Sequence, residues 1–234
     1  MAFSRRQFIE TGSAALIGTA AAQPLLAAVG RLAAPAPVPT PAAPPAPAVA
    51  APPVPARPRV IVDAAVDPAI VQRARAAFDR HRSRLAHTGL VGIADFSKAS
   101  GAPRFFLLDT STGRVTKHLV AHGRGSDPGH TGFLQRFSNR VGSEASSDGA
   151  YLVGDYYHGK YGRSLRLAGL DPTNSNAETR AIVIHHAWYA EPDQVSAHGR
   201  LGRSQGCFAF GRDSYQEVLA RLGPGHLLYA DRVA

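Results

Sequence analysis

The sequence predicts a mainly β domain with a few helices, preceded by an appendage outside its core. From residue 90 onward the chain consists of short apolar runs separated by turn residues, which is typical of strands. The runs do not alternate with long helices, as a doubly wound sheet would require, and the chain has no internal repeat. Its 234 residues are enough for one ordinary catalytic domain with appendages.

The N-terminus has the pattern of an export signal. An arginine pair in Ser4–Phe8 precedes a weakly apolar stretch, Gly12–Ala22, that is shorter than the roughly 20 residues of a membrane span. Ala20–Ala22 suits a signal peptidase. We expect residues 1–22 to be a cleaved twin-arginine signal peptide that leaves no stable membrane span; an uncleaved anchor is the alternative. Both the cleaved signal and the uncleaved anchor predict that the domain is periplasmic or cell-wall associated.

Residues 23–60 are predicted to be a linker. From Ala33 to Pro58 the chain is almost entirely Ala, Pro and Val, a composition that favours extended polyproline II conformations and cannot bury a core. The simplest role of this linker is to space the catalytic domain from a membrane or from the signal-processing site.

The chain is strongly basic, with a formal net charge of +9. Outside the cytoplasm of a bacterium, this charge favours the anionic polymers of the cell wall and envelope as partners. Nucleic acid is the alternative that charge alone permits. The basic residues are dispersed, however, and no helix-turn-helix, zinc finger or stacked-aromatic pattern is present, so we expect no nucleic-acid partner.

Residues 61–89 are predicted to contain a leading amphipathic helix that packs on the sheet as scaffold. Asp67 is a suitable N-cap and Pro68 suits the first turn. The apolar stripe is formed by Ile70, Val71, Ala74, Phe78 and Leu85.

Six strands and one further helix follow. The helix is expected to begin with a capping box at Ser214–Glu217 and to end at Gly223, and Thr110–Gly113 suits a hairpin turn. The predicted strands are Leu90–Ala94, Phe105–Leu108, Val115–Val120, Tyr151–Val153, Ala181–Ile184 and Leu227–Tyr229.

Cys207 is the only cysteine, so it cannot form an internal disulfide and is either reactive or a small buried apolar residue. A cysteine nucleophile needs an imidazole to accept its proton and free N–H groups to stabilise an oxyanion. His185, at the end of a predicted strand, supplies an imidazole. Gly206 lets the backbone approach an acyl carbon closely, so the amide of Cys207, and that of Gly206, are candidates for the oxyanion hole.

These residues resemble the catalytic domain of the L,D-transpeptidases, also called YkuD-like. The resemblance extends over residues 90–232 and implies that residues 90–234 form the catalytic domain, an L,D-transpeptidase-like β-sandwich or barrel. It rests on Arg180–His185 and Gly199–Cys207, and further on Ala121–Ser126, Phe137–Asn139, Ser146–Gly149 and Gly159–Leu165.

The resemblance implies a reaction on peptidoglycan stem peptides without metal or organic cofactor. Cys207 would attack the carbonyl between meso-diaminopimelate and the terminal D-alanine, release D-alanine and form a thioester. A second stem's amine would then make a 3-3 cross-link, whereas water would give L,D-carboxypeptidase activity. His185 would be the base, oriented by the backbone carbonyl of His186, and Ser204 would hold the turn.

This chain also departs from the family pattern. The larger branch has Ser-His-Gly-Cys, whereas Gln205 occupies the second position here and Phe208-Ala209 follows the cysteine. The departure leaves donor and acceptor binding open. It also motivates another hypothesis, a catalytically silent wall-binding module.

Four residues are candidates for binding substrate. Arg200 and Arg203 suit stem carboxylates because the guanidinium matches a carboxylate bidentately, although they are equally suited to be solvated loop charges. Gln205 adjoins the cysteine. Tyr157 lies with Tyr156, His158 and Tyr161 in a segment expected to form a lid.

Two further alternatives concern the histidines. Because His185 and His186 are adjacent on a strand, they point to opposite faces, and we favour His185 as the residue that faces Cys207. A zinc peptidase is suggested superficially by Asp193 and His198. No His-Glu-x-x-His motif is present, however, and zinc would leave the Ser-x-Gly-Cys pattern unexplained.

Overall fold

The computed structural model describes residues 66–233. The predicted signal peptide and linker lie outside the described residues. Four single 3₁₀ turns accompany the helices and strands. The helices are α1 (Pro68–His81), α2 (Pro192–His198) and α3 (Arg212–Arg221), and the strands are β1 (Leu90–Asp95), β2 (Phe105–Asp109), β3 (Val115–His118), β4 (Gly149–Gly159), β5 (Gly162–Gly169), β6 (Val183–His186), β7 (Phe208–Phe210) and β8 (Leu227–Asp231).

The eight strands of residues 66–233 belong to one mixed sheet, in the order β3-β2-β1-β8-β4-β5-β6-β7. Most neighbours are antiparallel, but β1 pairs with β8 and β6 pairs with β7 in parallel. The sheet curls until its two ends approach each other, because Ala121, just after β3, bridges to Ala209 of β7. This nearly closed sheet confirms the predicted mainly β fold.

Alternating side chains place a core on each face of the sheet. The inner core is built from residues of seven strands and includes Phe105, Tyr151, Leu165 and Phe208. The outer core contains the other face of β1, β2 and β8 together with the apolar side of α1. Burial of both faces fixes the strand register, since a slip of one residue would exchange the two sets of side chains.

Helix α1 packs on the sheet as predicted, with Ile70, Ala74 and Ala77 buried. The Asp67 side chain accepts a hydrogen bond from the Ala69 amide at 2.7 Å, which confirms it as the N-cap. Phe78 and Leu85 lie only partly buried against the same core. No helix within residues 66–233 is long and apolar enough to cross a membrane.

Several local predictions were wrong. Helix α3 begins at Arg212 with Gly211 as N-cap and no side-chain cap, because the backbone enters the helix two residues before the expected capping box. The expected strand at 181–184 is shifted to 183–186, since Ala181 has a φ of 52°, which no strand residue adopts. Helix α2 and the strands β5 and β7 were not predicted.

Candidate active site

Cys207 lies at the end of a tight turn, Ser204–Cys207, here called the cysteine turn, which leads directly into β7. Gly206 has a φ of 113°. A Cβ at Gly206 would lie 2.8 Å from the carbonyl oxygen of Ala145 and 2.8 Å from Cδ1 of Ile182. Both the left-handed backbone and the close approach therefore require glycine before the cysteine.

The Ser204 hydroxyl makes two hydrogen bonds within the cysteine turn. It donates to the carbonyl oxygen of Cys207 at 2.7 Å and accepts from the Gly206 amide at 3.1 Å. The Gly206 N–H already donates to Ser204 Oγ, so this amide is the weaker of the two candidates for the oxyanion hole. The Cys207 amide is the stronger candidate donor of that pair.

The pairing of β6 with β7 brings His185 and Cys207 to one face of the sheet. His185 is opposite Ala209 and Ile184 is opposite Phe208. In a parallel pair, opposed residues share a face and alternate along the strand. Cys207 is therefore on the His185 face, while Ile184 and Phe208 point into the inner core.

His186 points the other way. Its Nε2 lies 2.9 Å from Oε1 of Glu191, and its ring lies 6.0 Å from that of Tyr215. Its backbone carbonyl, however, lies 2.8 Å from Nδ1 of His185. A carbonyl can only accept, so this contact places a proton on Nδ1 and leaves Nε2 of a neutral His185 as a proton acceptor.

His185 is almost completely covered. It is 1% exposed, and the ring of Tyr161 stacks on it with centroids 4.1 Å apart and an interplanar angle of 16°. Burial lowers the pKa of His185 below its ordinary value, opposed by the bond to the His186 carbonyl. The imidazole is therefore neutral at pH 7, as a base must be.

The Cys207 thiol lies in a partly buried pocket beside the chain that enters β6. Its Sγ lies 3.5 Å from the carbonyl oxygen of Ala181. Burial raises the pKa of the thiol, while a hydrogen bond from the Val183 amide and the charges of Arg180 and Lys160 lower it. The surroundings thus favour the thiol in the resting state and supply cations for the thiolate.

A buried polar cluster supports the cysteine turn from below. The Ser204 amide donates to the His122 carbonyl at 2.9 Å. The His122 ring lies between Arg104, whose Nη2 is 2.7 Å from Nδ1, and Asp127, whose Oδ2 is 3.5 Å from Nε2. All three side chains are at most 1% exposed, so the cysteine turn rests on a buried polar cluster.

Residues 63–230 match the model of a known family, described as the L,D-transpeptidase catalytic domain. The chain belongs to the L,D-transpeptidase family. Its members modify peptidoglycan, and the resemblance seen in the sequence is thereby confirmed. No curated protein sequence matches the chain.

Solved structures of L,D-transpeptidases are similar to it at low identity. An L,D-transpeptidase of Mycobacterium smegmatis is 12% identical, with 61% of this chain and 58% of that chain covered and a TM-score of 0.38. An L,D-transpeptidase of Xylanimonas cellulosilytica is 15% identical, with 67% of this chain and 68% of that chain covered and a TM-score of 0.36. The helical cell shape determining protein Pgp2 of Campylobacter jejuni is 11% identical, with 64% of this chain and 50% of that chain covered and a TM-score of 0.40. The chain thus spans less than two thirds of the first of these proteins.

The predicted substrate residues have different surroundings. Nη1 of Arg203 donates to the carbonyl oxygens of Asp127 and Pro128, so this side chain braces a loop. Nη1 of Arg200 lies 3.5 Å from the His198 carbonyl, and its buried Nε has no partner. Gln205 is exposed on the cysteine turn.

The lid segment is a hairpin of β4 and β5, and its tip carries the residues nearest the site. Tyr157 packs under the guanidinium of Arg166, 4.4 Å from the ring centroid. It is Tyr161 that covers His185, beside Lys160, whose Nζ lies 4.8 Å from the Tyr161 ring.

The sequence placed Tyr161 in the expected lid but did not single it out, and it assigned neither Lys160 nor Arg180 to the site. A usable signal was the position of Lys160 and Tyr161 between two glycines, Gly159 and Gly162, which is typical of a hairpin tip. Within residues 66–233, no group of three or more His, Cys, Asp or Glu side chains is arranged to hold a metal ion.

Proposed function

We propose that this protein is an exported peptidoglycan L,D-transpeptidase in which Cys207 is the nucleophile and His185 the general base. One observation carries the proposal. In the β6–β7 register His185 is opposite Ala209, two residues after Cys207, and the contact of Nδ1 with the His186 carbonyl leaves Nε2 of the neutral imidazole as the proton acceptor, which supports this pair of roles.

The first half-reaction is an acyl transfer to sulfur. Nε2 of His185 takes the thiol proton, and Sγ attacks the carbonyl between meso-diaminopimelate and D-alanine of a tetrapeptide stem. The Cys207 amide stabilises the oxyanion. When the tetrahedral intermediate collapses, the imidazolium returns its proton to the leaving amine, so D-alanine departs and a thioester remains.

The second half-reaction resolves the thioester and frees Cys207. The side-chain amine of a second stem attacks the thioester, His185 accepts the proton from that amine, and the thiolate leaves, which yields a 3-3 cross-link. Gln205 is the exposed residue of the cysteine turn, and it is the candidate in this turn to contact the polymer substrate.

The cellular location is part of the proposal. The arginine pair of Ser4–Phe8, the apolar stretch of Gly12–Ala22 and the net charge of +9 favour export by the twin-arginine route to the anionic cell wall.

The test is incubation of the full chain with purified disaccharide-tetrapeptide, with products read by mass spectrometry. We expect loss of D-alanine together with a cross-linked dimer, and neither from Cys207→Ala. His185→Gln should retain the thiol but lose turnover. Loss of D-alanine without dimer would identify a carboxypeptidase instead.

A second experiment covers the case in which the protein does not convert the tetrapeptide substrate. If wild-type protein and Cys207→Ala are equally inactive, thiol labelling at neutral pH separates the remaining hypotheses. A thiol that is inert to a small alkylating reagent would support a wall-binding module and contradict the proposal.

A further inference from the structure

Arg180 is a partly buried cation without a carboxylate partner. Its Nη1 donates to the Ser138 carbonyl at 2.7 Å and lies 2.6 Å from Oγ of Ser147, and Nη2 donates to the Ala145 carbonyl. All three acceptors are neutral. No Asp or Glu among residues 66–233 forms an ion pair with it, so its charge is compensated by hydrogen bonds alone.

The guanidinium lies against the cysteine turn. A Cβ on Gly206 would be 3.1 Å from Nη2 of Arg180, and Cys207 is the next residue. Burial lowers the pKa of Arg180, and the groups that oppose this lowering are Tyr151 and Cys207. Burial raises the pKa of the Tyr151 phenol, which keeps it neutral. Cys207 is therefore the neighbour that can acquire a negative charge.

We propose that Arg180 is the fixed counter-ion of the Cys207 thiolate, a positioning residue that stabilises the nucleophile in its reactive form. The inference rests on the proposed role of Cys207. When Nε2 of His185 removes the thiol proton, a negative charge appears in a partly buried pocket, where desolvation opposes it. Arg180 holds a permanent charge beside that position through all the pH values at which the enzyme works.

The other charged and titratable groups around Cys207 do not replace it. Lys160 is exposed at the hairpin tip, where water and salt screen its charge. His185 is neutral until it accepts the proton. Tyr189 and Tyr161 are phenols, and burial raises the pKa of Tyr189.

The experiment measures the rate at which iodoacetamide alkylates the single thiol of the full chain as a function of pH. Arg180→Gln keeps hydrogen-bond donors but removes the charge. Opposite charges within a few ångström shift a pKa by about 1–3 units. We therefore expect the midpoint of the alkylation profile to rise by at least about one unit, and alkylation at a fixed pH below it to slow about tenfold per unit. Arg180→Lys should restore most of the profile.

Arg232→Gln is the matched control, because Nη1 of Arg232 also donates to two backbone carbonyls, those of Leu134 and Gln135, both at 2.9 Å. It should leave the alkylation midpoint unchanged. Thermal unfolding of each variant identifies any loss of folding. The inference would be overturned if the alkylation midpoint of folded Arg180→Gln equalled that of the wild type. It would also be overturned if Arg180→Lys shifted the midpoint as far as Arg180→Gln does.

The readout is independent of peptidoglycan turnover. A shifted profile in a protein that never releases D-alanine would support the counter-ion and contradict the proposed function. Normal cross-linking with an unshifted profile but a raised KM in Arg180→Gln would contradict the counter-ion, since it would make Arg180 a substrate-binding residue.

Discussion

The ring of Tyr161 lies nearly parallel to the imidazole of His185, with 4.1 Å between their centroids. Tyr161 itself is 40% exposed, whereas His185 is 1% exposed. One exposed side chain at a hairpin tip thus separates the proposed base from solvent, and burial is the main cause of the lowered pKa of His185.

Replacing Tyr161 should therefore change the titration of His185. In Tyr161→Ala water reaches the imidazole, so its pKa should rise towards the ordinary value, while Tyr161→Phe keeps the stack and the lowered pKa. NMR titration of the histidine ring measures this directly. Tyr157→Ala removes another hairpin aromatic and serves as control; equal pKa values in Tyr161→Ala and wild type would contradict the shielding.

Gly206→Ala should be far more damaging than an alanine at another left-handed glycine. Gly142 has a φ of 77° and nothing within 4 Å of its added Cβ, so Gly142→Ala costs only the backbone conformation, about 1–2 kcal/mol. Gly206→Ala adds overlap with Ala145 and Ile182. We expect a larger loss of unfolding free energy, measured with denaturant, and loss of turnover; similar losses in both variants would show that the packing is not tight.

Ser204→Ala should loosen the cysteine turn. It removes the acceptor of the Gly206 amide and the donor to the Cys207 carbonyl, at a cost of about 1–3 kcal/mol for buried groups left unpaired. Turnover should fall more than stability predicts, because the thiol moves relative to His185. Ser164→Ala, which removes a buried hydroxyl bonded to the Gly162 carbonyl, should lower stability alone.

His122 should make the fold sensitive to acid. Burial is the main cause that lowers its pKa to about 3, whereas an unfolded chain binds that proton near pH 6.5. Between these values the unfolded state holds more protons, so stability falls as the pH falls, by at most about 1.4 kcal/mol per pH unit from this residue.

The variant that tests this effect is His122→Gln, whose amide can accept from Arg104 without taking up a proton. It should be less stable than wild type at pH 7 but lose less stability between pH 6.5 and 3, as measured by denaturation at each pH. Parallel stability curves for the two proteins would assign the acid sensitivity to other residues.

The sequence predicted the elements whose patterns are local. Helix α1 was found because one stripe of apolar residues and the Asp67 cap lie within a few turns of each other. The second half of β4 and all of β5 were missed because a register shift between Val153 and Tyr156 breaks the alternation. Strand β7 has only three residues, too few for a pattern to be recognised.

The candidate site was predictable in its residues but not in its geometry. Cys207, Gly206 and Ser204 are contiguous, so their turn follows from local chemistry. The juxtaposition of Cys207 with His185 depends on the parallel register of β6 and β7, and that register is set by which side chains the inner core accepts. Arg180 reaches the site through loop geometry that no spacing rule specifies, whereas the glycines around Tyr161 indicate a hairpin tip but not which residue that tip covers.

The position of β8 in the sheet bears on how the protein is made. Among residues 66–233, β8 is the last strand in sequence order, yet it lies between β1 and β4 and pairs with both. In a nascent chain on the ribosome, the edges of β1 and β4 that pair with β8 therefore lack their hydrogen-bond partner until Leu227–Asp231 has been synthesised. The sheet must close after translation of these residues, through contacts between distant parts of the chain, so we expect slow folding and a need for protection from aggregation during synthesis.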